Sequence, residues 1–115
     1  MSKKEIIVRE SEFIDQVEEI FMHLEDLLDE FEEDIDLDTS GGLLTMHFPN
    51  GTTIVLSKQI TQLEIWVAAL SGGFHLGRHD GQWYCQTTDE NLTDLLNRVL
   101  SEQLDRPVVL KDLPS

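Results

Sequence analysis

Over residues 11–33 the apolar positions Phe13, Val17, Ile20, Phe21, Leu24, Leu27, Leu28 and Phe31 recur at intervals of three and four. That spacing predicts an amphipathic helix with one core-facing stripe. Ser11 stands where an N-cap belongs, although Ile14 three positions on leaves no capping box. The pattern then changes to period two, with Ile35 and Leu37 on one side and Asp34, Asp36 and Asp38 on the other. Ser40-Gly41-Gly42 breaks the chain, after which Leu44, Met46 and Phe48 alternate with Leu43, Thr45 and His47. Pro49-Asn50-Gly51 reads as a hairpin turn, and residues 53–57 as its returning strand with Ile54 and Leu56 inward.

Residues 62–68 alternate again, with Leu63, Ile65 and Val67 on one face and Gln62, Glu64 and Trp66 on the other. Gly72-Gly73 marks a break before a short strand over 74–76, His79-Asp80-Gly81 a further turn, and 82–86 a strand carrying Trp83 and Cys85 on one face. Asp89 is the expected cap of a second helix running to about Leu104, striped by Leu92, Leu95, Leu96, Val99 and Leu100. Pro107 stops it and leaves residues 108–110 as a short strand or a packed tail. Helix, hairpin-connected strands, helix: the order predicts one α+β domain over residues 1–115, an antiparallel sheet with both helices on one face.

Charge is distributed unevenly along the chain. No Lys or Arg occurs between Arg9 and Lys58, while 14 of the 23 acidic residues fall between Glu10 and Asp38. A net charge of −15 argues against nucleic acid and against an anionic membrane surface as partners. The apolar run Ile6 to Val8 is too short for a signal peptide or a membrane span. Cys85, the single cysteine, can form neither an internal disulfide nor a multi-thiolate metal site, which fits a reduced cytoplasm. It reads as a small buried hydrophobe.

The acids form an ordered ridge. Glu18, Glu25, Asp29 and Glu32 make one row of the first helix, with Glu19, Asp26, Glu30 and Glu33 beside it. Like charges at i,i+4 destabilise a helix by a few tenths of a kcal/mol per pair, and acids near its C-terminal end oppose the dipole. A solvated face accounts for such a run about as well as a binding face does. Carboxylate oxygens suit hard cations such as Mg, Ca, Mn and iron. An open rim of them gives weak, exchangeable, multiple binding rather than a cage. His23, near Glu19 and Asp26, reads as a surface residue. Asp34, Asp36 and Asp38 resemble the start of an EF-hand loop, but Thr39 and Thr45 stand where that loop needs Gly and Glu. Trp66 lies on the wet face of its strand and is a candidate contact anchor. No nucleophile elbow, phosphate loop or Cys–His pair is present.

Taken in order, the acidic helix, Asp-rich first strand, Gly41-Gly42-Leu43-Leu44-Thr45, Asn50-Gly51, Lys58-Gln59, Ile65-Trp66 and Gly72-Gly73-Phe74-His75 resemble the frataxin family, in particular its bacterial branch. The resemblance runs from about Glu12 to about Gln103. It implies an α-β sandwich and a non-enzymatic role in iron–sulfur cluster assembly. It further implies ferrous or ferric iron, or another divalent cation, held weakly by Glu25, Asp26, Asp29, Glu30, Glu33, Asp34, Asp36 and Asp38. The implied partners are cysteine desulfurase and the iron–sulfur scaffold machinery, met through the acidic face with Glu18, Glu19 and Trp66, by a cytoplasmic monomer. Where the family usually has Asn, Arg or Lys with Gln, Pro and then Gln before the tryptophan, this chain has Ser57, Lys58-Gln59, Thr61 and Glu64. Two rivals account for the same charge. One is a metal-independent acidic module that fills a basic groove as a nucleic-acid mimic, and the other is an acid–base enzyme using paired carboxylates.

Overall fold

A computed structural model describes residues 3–111 and 113, with side chains from Arg9 onward. Helix α1 spans Lys3–Leu28 and passes into a 3-10 turn at Asp29–Phe31. Seven strands follow: β1 (Asp36–Ser40), β2 (Leu43–His47), β3 (Thr53–Gln59), β4 (Glu64–Ala69), β5 (Gly72–His79), β6 (Gln82–Cys85) and β7 (Glu90–Asn91). Helix α2 (Leu92–Leu104) closes the order. Every strand pairs antiparallel with its neighbour in sequence, in the sheet order β1-β2-β3-β4-β5-β6-β7.

One face of the sheet is covered. Leu44, Met46, Ile54, Leu56, Ile65, Val67, Leu76, Trp83 and Cys85 alternate inward and form one cluster with Phe13, Val17, Ile20, Leu24 and Leu28 of α1. Leu92, Leu95, Leu96, Val99 and Leu100 of α2 join the same cluster. Both helical stripes and the period-two alternation therefore appear as the sequence predicts, and Cys85 is fully buried. Phe21, Leu27 and Phe31 are half-buried at the margin of that core.

Several boundaries differ from the sequence expectation. Helix α1 begins by Lys3, so Ser11 is an exposed interior position and not a cap. Nothing between Lys3 and Ser11 breaks a helix, since no Pro or Gly occurs there. At the other end the helix tightens into the 3-10 turn before Glu33, closed by Glu32 N donating to Asp29 O at 3.3 Å and Ile35 N to Phe31 O at 2.8 Å. The last helical turn holds no cation to offset its negative dipole end. Leu63 is not a strand residue: it ends a turn with φ of 55° whose N–H donates to Ile60 O at 3.1 Å, and β4 begins one residue later. Gly72 and Gly73 lie inside β5, paired with Ala69 and Ala68, so the chain reverses at Leu70 and Ser71 instead.

The turn at Asp80-Gly81 is as expected. Both residues have positive φ, 49° and 79°, between the paired His79 and Gln82, the geometry that matches strand twist in a two-residue hairpin. Helix α2 is capped by Asn91 rather than Asp89. The backbone of Asn91 is extended and its side chain accepts from Asp94 N at 2.8 Å, whereas Asp89 sits at a φ of 55°. A left-handed backbone is not the extended one an N-cap requires.

The segment after Pro107 is a tail. Val108, Leu110 and Leu113 are buried, and their N–H groups donate to side chains one turn apart on α2: Ser101 Oγ (2.9 Å), Asn97 Oδ1 (2.8 Å) and Thr93 Oγ1 (3.0 Å). The spacing of four puts these acceptors on one helix face, where they replace a strand partner.

Gln103 is the polar anchor of the core. It is buried, its Oε1 accepts from Leu70 N at 3.1 Å, and its Nε2 donates to Thr52 Oγ1 at 2.9 Å and Thr53 O at 3.1 Å. Asn50 Nδ2 donates to the Gln103 carbonyl at 3.0 Å. One side chain thus ties the end of α2 to the β2–β3 and β4–β5 turns. Gln103→Ala removes the three hydrogen bonds of a buried side chain and leaves a gap in its place, and should lower unfolding free energy in urea by about 2–3 kcal/mol. A loss below about 0.5 kcal/mol would contradict this reading.

Candidate functional site

The end of α1, the 3-10 turn and β1 enclose an open groove of about 500 Å³. Its walls are Glu25, Asp29, Glu32, Glu33 and Asp36 over a floor of Leu28, Ile35 and Leu37. Local structure explains the convergence. Glu25 near the end of α1, Asp29 in the 3-10 turn and Glu32 just after it follow one another at helical spacing, while Leu28 and Ile35 are buried and pin the flanking elements to the core. Five carboxylates therefore border one apolar floor, and among the described residues none of the five is ion-paired. The donors are hard oxygens, the type that ferrous, ferric and alkaline-earth ions prefer. Among the described residues no three His, Cys, Asp or Glu side chains converge into a closed metal cluster. The arrangement is a rim.

Other acids singled out by sequence lie elsewhere. Asp26, Glu18 and Glu19 are exposed on α1, and Glu30 is exposed on the 3-10 turn. His23, half exposed, lies 3.9 Å from Glu19. Asp38 is exposed on β1. Asp34 sits in the turn before β1 and is held by Arg106, with Nη2 2.5 Å from Oδ2. Glu32 belongs with the groove although the resemblance did not carry it there; its place in the row of Glu25 and Asp29 was the available signal. Residues 36–40 are strand paired to β2, as the exclusion of an EF-hand requires.

The second feature is the uncovered sheet face. Trp66 stands there in the row Ser40, Leu43, Ser57, Trp66, His75, each paired with the next. That places it three strands from β1, roughly 14 Å across the sheet at the usual spacing. Trp66 is half-buried, not a free anchor. Its ring stacks on His75 at 4.2 Å and 9°, and its indole N–H donates to Glu64 Oε1 at 2.9 Å. The charged acceptor thus comes from Glu64, where the resemblance implied Gln. Only the strand register brings His75 against Trp66, so sequence alone did not disclose the pair.

Toward the opposite edge of the sheet the polar side chains are paired with one another. His79 stacks on Tyr84 at 5.3 Å, and the Tyr84 hydroxyl donates to Asp89, which raises the phenol above its ordinary range. Arg98 makes a forked contact to Glu90 at 2.9 and 3.0 Å, and this pairing holds the Glu90 carboxyl below its ordinary range. A general acid would need the reverse shift.

The family model for the frataxin-like domain matches residues 7–106. The chain belongs to the frataxin family. Two bacterial frataxins illustrate the relationship. The iron-sulfur cluster assembly protein CyaY of Stutzerimonas stutzeri is 40% identical over 106 residues, covering 90% of this chain and 96% of that protein. CyaY of Vibrio cholerae serotype O1 is 36% identical over 101 residues, covering 88% and 97%. Among solved structures, frataxin from Psychromonas ingrahamii superposes with a TM-score of 0.80 at 26% identity, covering 90% of this chain and 98% of that one. Trimeric yeast frataxin complexed with ferrous iron gives a TM-score of 0.59 at 31% identity, covering 76% and 87%. The seven-stranded sheet with two helices is thus the frataxin fold. No helix among the described residues of this frataxin is long and apolar enough to cross a membrane.

The stack on Trp66 is checked by His75→Ala. Stability should change by no more than about 1 kcal/mol. Tryptophan emission should shift to the red and iodide quenching should rise, because Trp83 is only 2% exposed and stays dark to the quencher. Unchanged emission and quenching would show that His75 does not cover the indole.

Proposed function

We propose that this frataxin is a non-catalytic, monomeric, single-domain protein of the bacterial cytoplasm that binds iron weakly and modulates iron–sulfur cluster assembly. The groove of Glu25, Asp29, Glu32, Glu33 and Asp36 receives the cation, with Asp26, Glu30 and Asp38 as outer, exchangeable positions. The observation that carries the reading is this unpaired set of five carboxylates on an apolar floor. Support comes from relatives named as iron-sulfur cluster assembly proteins and from yeast frataxin complexed with ferrous iron.

The same acids, with Glu18 and Glu19 further along α1, present a negative surface suited to a basic patch on cysteine desulfurase. Trp66 and its stacked partner His75 offer a separate, flatter contact across the sheet for the scaffold machinery. Cation and basic partner are then linked through shared carboxylates: each relieves the repulsion that the other would relieve.

The test is an amide NMR titration with ferrous iron or cobalt(II). Broadening and shifts should concentrate between Glu25 and Asp36; changes no larger there than on α2 would overturn the groove assignment. In parallel, the variant Glu25→Gln, Asp29→Asn, Glu33→Gln should raise the metal-free melting temperature by about 2–5 °C, since several like-charge pairs worth a few tenths of a kcal/mol each disappear. It should also lose stabilisation by added cobalt. Recovery of desulfurase from cytosol by wild type and not by this variant would support the docking surface. Equal recovery by both would remove it.

A further inference from the structure

Asp34 belongs to the acidic rim by sequence, yet the groove does not include it. It is held from the far end of the chain. Helix α2 ends at Asp105 in a left-handed backbone with φ of 54°, and the next N–H, that of Arg106, donates to Ser101 O at 3.2 Å. This termination aims the Arg106 side chain back across the fold. Its guanidinium carbon lies 5.9 Å from the centroid of Phe31, and its Nη2 lies 2.5 Å from Asp34 Oδ2, a contact between residues 72 apart. Phe31 is itself half-buried against the core, so the guanidinium is flanked by a fixed ring and a carboxylate.

We infer that Arg106 is a built-in counter-cation that withholds Asp34 from the metal-binding set. The inference rests on the reading of the groove as a cation site and specifies how that site is tuned. A carboxylate engaged by a planar guanidinium has fewer free lone pairs for a metal, and the positive charge repels a divalent ion approaching the neighbouring Glu33 and Asp36. Stacking on Phe31 holds the guanidinium in place. Asp34 is therefore left out of the native ligand set. Affinity stays low and the bound ion remains exchangeable. Arg106 is a positioning residue in this account, because it touches the acid and not the cation.

The test is a cobalt(II) titration by calorimetry at low ionic strength on wild type, Arg106→Gln, Asp34→Asn and the double variant. Both side chains are substantially exposed, 49% and 38%, so all four proteins should fold, with melting checked metal-free. Arg106→Gln frees Asp34 and removes the nearby charge, and should bind about fivefold more tightly, an effect that shrinks with added salt. Asp34→Asn should bind more weakly, because the released guanidinium can turn to the groove acids. The double variant, with the pair removed as a unit, should return to within about twofold of wild type. Arg106→Lys, which keeps the charge, should bind more weakly than Arg106→Gln.

Outcomes separate the two levels. Cobalt uptake by wild type with no gain in Arg106→Gln overturns the role of Arg106 alone. A double variant more than about fivefold weaker than wild type does so as well, because Asp34 would then be a native ligand. No cobalt uptake by any of the four proteins overturns the groove reading, and the inference with it.

Discussion

The seating of α1 on the sheet is the contact everything else depends on. Phe13, Val17, Ile20, Leu24 and Leu28 are each at most 4% exposed, and burying five such side chains stabilises the docked helix by roughly 10 kcal/mol. The acid pairs on the opposite side cost a few tenths of a kcal/mol each, which sums to roughly 3 kcal/mol for about ten close pairs. Burial wins by a clear margin. A helix that would be poor in isolation is thereby kept, and its charge is displayed on a rigid backbone rather than on a flexible tail.

Rigidity decides what the acids can do. The same core that seats Leu28 also fixes Ile35, and between them the chain makes a tight 3-10 turn. Carboxylates from a helix and from a strand are thus brought to one groove, which neither element would provide alone. The groove stays open because Leu28, Ile35 and Leu37 form a floor and not an opposing wall. An open rim of this kind leaves most coordination positions of any ion placed there to water, which is the geometric ground for proposing weak, exchangeable binding. The Trp66–His75 stack lies three strands away, so the acidic groove and the sheet stack are physically separate features of one molecule.

Much of this was legible in the sequence, for identifiable reasons. Period-two and period-3.6 patterns gave the faces of β2, β3 and both helices, because one-sided burial imposes those periods directly. Boundaries were less legible. Asp89 and Asn91 are both good caps, and only backbone dihedrals separate them. Gly72-Gly73 looked like a break but is strand, since Leu70 and Ser71 suffice for the reversal. Leu63 continued an alternation that its left-handed backbone interrupts. The acidic residues were visible as a group, yet their division into groove, outer face and Arg106-bound Asp34 was not. That division comes from contacts across as many as 72 residues, which no local pattern encodes.

The proposed cation site makes the ridge an electrostatically strained surface that a bound cation relieves at a defined place. It is tested most directly by melting the metal-free protein in sodium chloride and in cobalt(II) chloride at matched ionic strength. Site binding predicts a clearly higher melting temperature in cobalt, rising with its concentration as mass action requires. Equal melting temperatures in the two salts would mean that the acids are screened as a diffuse charge only, with no cation site among them.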